Sequence, residues 1–317
     1  QRNKLFAQVR RALTKKHFTE SELLHAYTII SEKLAMGYPE YLGVLIRLLT
    51  GLESNIVCAL RWMDWNYISA YHFSRLLISR QVSNDGKCYT GFSAPENYIS
   101  FPCMNTLQVH LANRLENVKQ SCSRYTDYSK FPIITTAEQL SDETLRFSAF
   151  PPQSLDLLTR DVLQSVGIDD HIIQIPDKNG SMKETNLNVY FGDFFRENFR
   201  FWASSVAKLS NDEVLYLLRN HPETTFGTYY CDFLNETSQW MLYAKLQRWD
   251  ALFNAHPPSF SFQKQVELTK QFSESIPATG SAPLQIQGIL SVSDISGTVQ
   301  LFVDSQFGVS TYFSLLQ

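Results

Sequence analysis

The chain has 317 residues, of which 44% are apolar, 13% aromatic and only 19% charged. This is enough apolar material for one large or two ordinary domains, and disorder is not the default for it. The formal net charge of −3 counts against a dedicated basic nucleic-acid domain, so any basic face must be local. Cys58, Cys88, Cys103, Cys122 and Cys231 are odd in number and contain no CxxC pair. They read as free thiols in a reducing, cytoplasmic compartment with no zinc site. The longest apolar run, Tyr41 to Leu49, is broken by Arg47 and is shorter than the ~20 residues of a membrane span. No signal peptide is visible, and both ends of the sequence look cut from a longer chain.

In chain order, residues 1–17 read as a basic linker or helix. The segment Thr19-Glu20-Ser21-Glu22 is a helix start with a hydroxyl cap and an acidic first turn. Helices are expected over Glu20–Met36, Pro39–Thr50 and Ser54–Arg61. After Asp64 the period changes to two: a strand over Ser74–Val82, the turn SNDGK, a second turn near SAPEN and the short strand YISFP form a small antiparallel sheet. A helix follows over Asn105–Val118, then an irregular stretch from Lys119 to Pro152 and a helix over Leu155–Val166. The polar loop IPDKNGSMKETN comes next, followed by helices over Phe191–Leu209, Asn211–Leu218 and Leu234–Phe253. From Leu284 the alternation is that of a β-rich appendage. The expected division is 1–17, 18–255 and 256–317.

The stretch TGLESNIVCALRWMDW, from Thr50 to Trp65, resembles the first active-site box of the tyrosine recombinase (phage integrase) family, in which TGLR opens a helix ending in LRWxD. Two further segments fit the same frame. GDFFRENFRFW resembles the His-x-x-Arg box, with Asp193 in the histidine position and Arg196 in the arginine position. LLRNHPETTFGTYY resembles the third box, with His221 as its histidine and Tyr230 nine residues later, at the usual spacing of the nucleophile; Tyr229 is its neighbour.

The resemblance implies an α+β, mainly helical catalytic domain with a small antiparallel sheet, and it implies double-stranded DNA as partner. In that family a tyrosine hydroxyl attacks a phosphodiester while two arginines hold the non-bridging oxygens. A hairpin lysine and a histidine move protons, and neither metal nor cofactor is called for. Here Arg196, His221 and Tyr230 are kept, whereas Glu53 stands where the first arginine is needed and Asp193 replaces the histidine. Lys87 is the only lysine between Asp64 and Asn105, in the first turn of the sheet region.

Three functions remain open on these residues. One is a DNA-binding, catalytically impaired relative in the cytoplasm, associated with a nucleoid or a mobile element. Another is an active divergent recombinase using Tyr230, with Arg61 or Arg200 as the replacement cation and as DNA contacts alongside Lys87. The last is a scaffold that uses the C-terminal extension for homo-oligomer or protein contacts, with no membrane partner. Each kept residue also has a structural reading: Arg196 paired with Glu53, His221 at a helix end, Tyr229 and Tyr230 as packed aromatics.

Overall fold

The computed structural model describes residues 17–92, 98–121, 127–142, 145–168, 171–176, 181–187, 191–219, 233, 235–255, 285–291, 298–304 and 311–314. Helix α1 (Glu20–Ala35) begins as its sequence dictates. Thr19 Oγ1 accepts the Glu22 N–H, and the Glu22 carboxylate accepts the Thr19 N–H at 2.8 Å, a reciprocal capping box. Helix α2 (Tyr41–Thr50) is buried at every position, Arg47 included. That makes it the central helix of the body, and it stops because Gly51 adopts the left-handed conformation at φ 67°.

Around α2 pack α1, α4 (Asn105–Ser121), α6 (Pro152–Ser165) and α7 (Phe191–Ser205), with the short α3 (Ser54–Val57) following it in the chain. Helix α8 (Asn211–Leu217) carries a second capping box, Ser210 with Glu213. Helix α9 (Glu236–Ala255) lies against α4 and against the sheet. Its Asp250 reaches back to accept the Thr106 N–H at 3.1 Å, so a residue of α9 caps the first turn of α4. Burial pushes the Asp250 carboxyl up to about 6, and it depresses His110 of α4 to about 4.

The body is mainly helical with small antiparallel sheets, but the strands differ from the sequence expectation. β1 (Trp65–Ile68), β2 (Phe73–Ile78) and β5 (Ile99–Pro102) form one sheet in the order β1-β2-β5. The expected single strand over Ser74–Val82 is divided, because β3 (Arg80–Val82) pairs instead with β4 (Tyr89–Gly91) as a separate hairpin. The expected helix over Ser54–Arg61 lasts one turn. Its continuation is diverted into backbone pairing with the irregular stretch: Trp62 N–H donates to Phe131 O at 3.1 Å and Ile133 N–H to Leu60 O at 2.9 Å.

That irregular stretch also supplies buried Phe131, Ile133 and Ile134 and a short helix, α5 (Ala137–Ser141), capped by Thr136. The segment read as a polar loop belongs to a hairpin: it includes the end of β6 (His171–Pro176) and nearly all of its partner β7 (Met182–Leu187). Near the C-terminus β8 (Gln285–Ser291), β9 (Thr298–Asp304) and β10 (Thr311–Ser314) form a sheet in the order β8-β9-β10. Among the described residues no helix is long and apolar enough to cross a membrane.

Candidate functional site

The three sequence boxes meet at Gly51. A Cβ built there would lie 2.7 Å from Phe199 Cβ of α7 and 2.9 Å from Leu218 Cδ2 at the end of α8. Only glycine permits both the positive φ and this approach. Two residues on, Glu53 stands in extended conformation ahead of α3, with its carbonyl accepting the N–H groups of Ile56 and Val57. Arg196 comes from α7. Its Nη1 donates to Glu53 Oε1 at 2.8 Å and its Nη2 to the Leu218 carbonyl at 2.6 Å. One guanidinium therefore joins box one, box two and the C-terminal end of α8. The pair is lopsided: the Arg196 side chain is 17% exposed and that of Glu53 is 52%.

Immediately beyond Leu218 the chain turns through Arg219, at φ 52°. Its guanidinium carbon lies 3.4 Å from the ring centroid of Phe92, next to β4. Arg61 stacks on Tyr89 of the same hairpin at 4.6 Å, and both contacts are cation–π in character. Arg80 pairs with Asp64 and donates from Nε to the Ala59 carbonyl at 3.2 Å. Asn55 Nδ2 of α3 donates to Gln81 Oε1 of β3 at 3.4 Å, so the hairpin leans on the helix that follows Glu53.

Lys87, in the turn of this hairpin, is 79% exposed and lies 3.8 Å from the Asp85 carboxylate. Arg200 pairs along α7 with Glu197 at 3.2 Å on the surface. Asp193 belongs to the first turn of α7. His221, Tyr229 and Tyr230 lie outside the described residues.

Sequence reasoning overlooked a buried charge beneath the site. Arg47 is 1% exposed, and its Nη1 donates to Asp156 Oδ1 of α6 at 2.7 Å and to Thr159 Oγ1 at 2.8 Å. Ser54, the residue after Glu53, donates its hydroxyl to the same Asp156 oxygen. The network pins the Gly51–Ser54 corner to α6. Burial lowers the pKa of Arg47, with Asp156 opposing the shift, and burial pushes the neighbouring Cys58 thiol up to about 12. An arginine inside an otherwise apolar helix was the available signal; its partner, more than a hundred residues away, left none.

No protein-family model matches the chain, and no curated protein matches it. Among solved structures it is similar to a crystal structure of XerA recombinase. That likeness covers 78% of this chain and 67% of the other at 15% identity, with a TM-score of 0.38. A superposition that loose assigns no role to any residue of this chain.

Proposed function

We propose that the chain is a DNA-binding protein with a tyrosine-recombinase-like domain that holds duplex DNA without cutting it. The observation that supports this reading is the Glu53–Arg196 pair. In the family that the sequence boxes resemble, these two positions face one phosphate. Here one oxygen of the Glu53 carboxylate occupies one arm of the guanidinium and the Leu218 carbonyl the other. An anion at the first arginine position repels the phosphoryl charge that a transition state must accumulate, and loss of even one such donor costs ~10²–10³ in rate. Duplex binding survives that loss, because phosphate contacts supply position and affinity without a nucleophile. A cytoplasmic location, associated with a nucleoid or a mobile element, goes with the same reading.

The test is a salt titration of duplex binding by fluorescence anisotropy. Glu53→Gln frees Arg196 for phosphate. One added contact should steepen the slope of log K against log salt by about 0.9 and raise affinity several-fold at low salt. Arg196→Met should show neither gain. No variant should form a covalent adduct with nicked duplex. A trapped phosphotyrosine at Tyr229 or Tyr230 would instead identify an active divergent recombinase, and binding absent at every salt concentration would leave the scaffold.

A further inference from the structure

The face of the β1-β2-β5 sheet that packs on α9 carries a second polar cluster, formed without any residue of the three boxes; Tyr216 of α8 directly precedes the third. Arg75 lies opposite Pro102 and Leu77 opposite Ser100. Residues two apart share a face, so Phe73, Arg75, Leu77, Ser100 and Pro102 all lie on one side. α9 covers that side, with Tyr243 stacked on Phe73 at 5.2 Å between centroids. One turn earlier on α9 is Gln239, fully buried. Tyr216 closes the end: its hydroxyl oxygen accepts the Ser100 N–H at 3.1 Å, the Gln239 side chain bonds it, and the Arg75 charge acts on it.

Three polar atoms around that hydroxyl are left without partners. Ser100 Oγ, Gln239 Oε1 and Arg75 Nε are buried and find no hydrogen-bond partner among the described residues. Ser100 is 1% exposed and Gln239 0%. The Gln239 amide cannot be exchanged end for end, because its Nε2 donates to the Phe233 carbonyl, which requires a donor. Among the described residues no carboxylate pairs with Arg75, which is half-buried. Buried polar groups in folded proteins are ordinarily satisfied, so three orphans on residues that all act on one hydroxyl call for a ligand that satisfies them together.

The required ligand can be read from the unfilled valences. Arg75 Nε–H and the Ser100 hydroxyl donate, and Gln239 Oε1 accepts. The cation requires an anion, and the amide oxygen requires that this anion carry a proton. Carboxylate and sulfate carry none at neutral pH, and neither does the phosphodiester of a nucleic-acid backbone. A phosphate monoester can, since a second pKa of about 6 leaves roughly a tenth of it as the singly protonated monoanion at pH 7, and lowering the pH toward 6 enriches that form. Its free oxygens suit Arg75 and Ser100, and its P–OH suits Gln239. We propose that Arg75, Ser100 and Gln239 form a binding site for a phosphate monoester between the sheet and α9. This site is independent of the DNA-binding reading and uses neither Glu53 nor Arg196.

The experiment is calorimetric titration of the full chain with inorganic phosphate and, at matched ionic strength, with sulfate. Phosphate should bind with one-to-one stoichiometry and at least ~10-fold more tightly than sulfate, a preference that grows as pH is lowered toward about 6. Arg75→Gln should weaken phosphate binding at least ~10-fold. Gln239→Leu should abolish the preference over sulfate, and Glu53→Gln should change nothing. A nucleoside 5′-monophosphate should compete with phosphate, whereas duplex DNA should not. If Arg75→Gln fails to fold, Ser100→Ala and Gln239→Leu carry the test. Equal binding of phosphate and sulfate, indifference to these substitutions, or crystals soaked in phosphate that hold only water at the cluster would overturn the assignment.

Discussion

The half-buried Arg47–Asp156 pair makes a prediction that runs against the usual ranking of core and surface residues. Arg47 is 1% exposed and Asp156 48%, so the two partners stand on opposite sides of the solvent boundary. Removing the carboxylate charge with Asp156→Asn strands a guanidinium in the interior. Breaking a buried pair costs about 3–5 kcal/mol, and the hydrogen bonds that an asparagine retains reduce this to about 2–4. Arg47→Met takes the buried charge away together with its desolvation cost and leaves an aspartate that water and Ser54 can still serve, so its cost should stay below about 1.5 kcal/mol. Urea unfolding followed by circular dichroism measures both. For a body of this size Asp156→Asn should lower the melting temperature by roughly 5–15 °C and shift the urea midpoint by about 1 M, with Arg47→Met well short of either. If Arg47→Met costs as much as Asp156→Asn, the stability comes from the stem of the arginine and its contacts rather than from the balance of charge, and the reasoning fails.

Two other outcomes are expected. Gly51→Ala forces a Cβ to 2.7 Å from Phe199 Cβ at a positive φ, which should cost about 2–4 kcal/mol in urea unfolding; a loss under about 1 kcal/mol would show that α7 yields freely. The buried pair of titrating groups near α4 gives a pH signature. His110, depressed to about 4 by burial, contributes stability that is present above its unfolded pKa of about 6.5 and lost as pH falls toward 4. Asp250, raised to about 6 by burial, works in the other sense: its contribution is full below its unfolded pKa of about 3.9 and is lost as pH rises through 6. Each swing is on the order of 3 kcal/mol, and in the native chain they nearly cancel between pH 4 and 6. Asp250→Asn should unmask the histidine alone, so that stability climbs with pH from 4 to 6.5; a profile as flat as that of the unaltered chain would contradict it.

What could be read in the sequence was mostly local. The helix start at Thr19 and the end of the following helix at Thr50 depend on residues within a few positions, and each is present in the fold. Strand β1 and the split of β2 from β3 depend on which distant backbone offers a partner, and no alternation in the sequence reports that. The buried Phe131–Ile134 segment was hidden for the same reason: a run of Ser, Thr and Pro surrounds it, and its pairing partner is Leu60 to Trp62. The Glu53–Arg196 pair was legible only because the boxes supplied a frame that brings positions 143 apart in sequence to one point. The Arg75 cluster depends on sheet register, and the sequence showed no sign of it.

The hydrogen bond from Thr106 to Asp250 spans 144 positions of the chain, and the one from the Phe18 backbone to Asn198 spans 180. Each closes one end of the body with a residue synthesised much later. At translation rates of about 5–20 residues per second, the first turn of α4 waits roughly 7–30 s for its cap. A nascent chain halted before α9 has left the ribosome exposes the sheet face that Tyr243 would cover. A stop codon within α9 should therefore yield a chain that needs chaperones or is degraded, even though every helix of the first two hundred residues has been made.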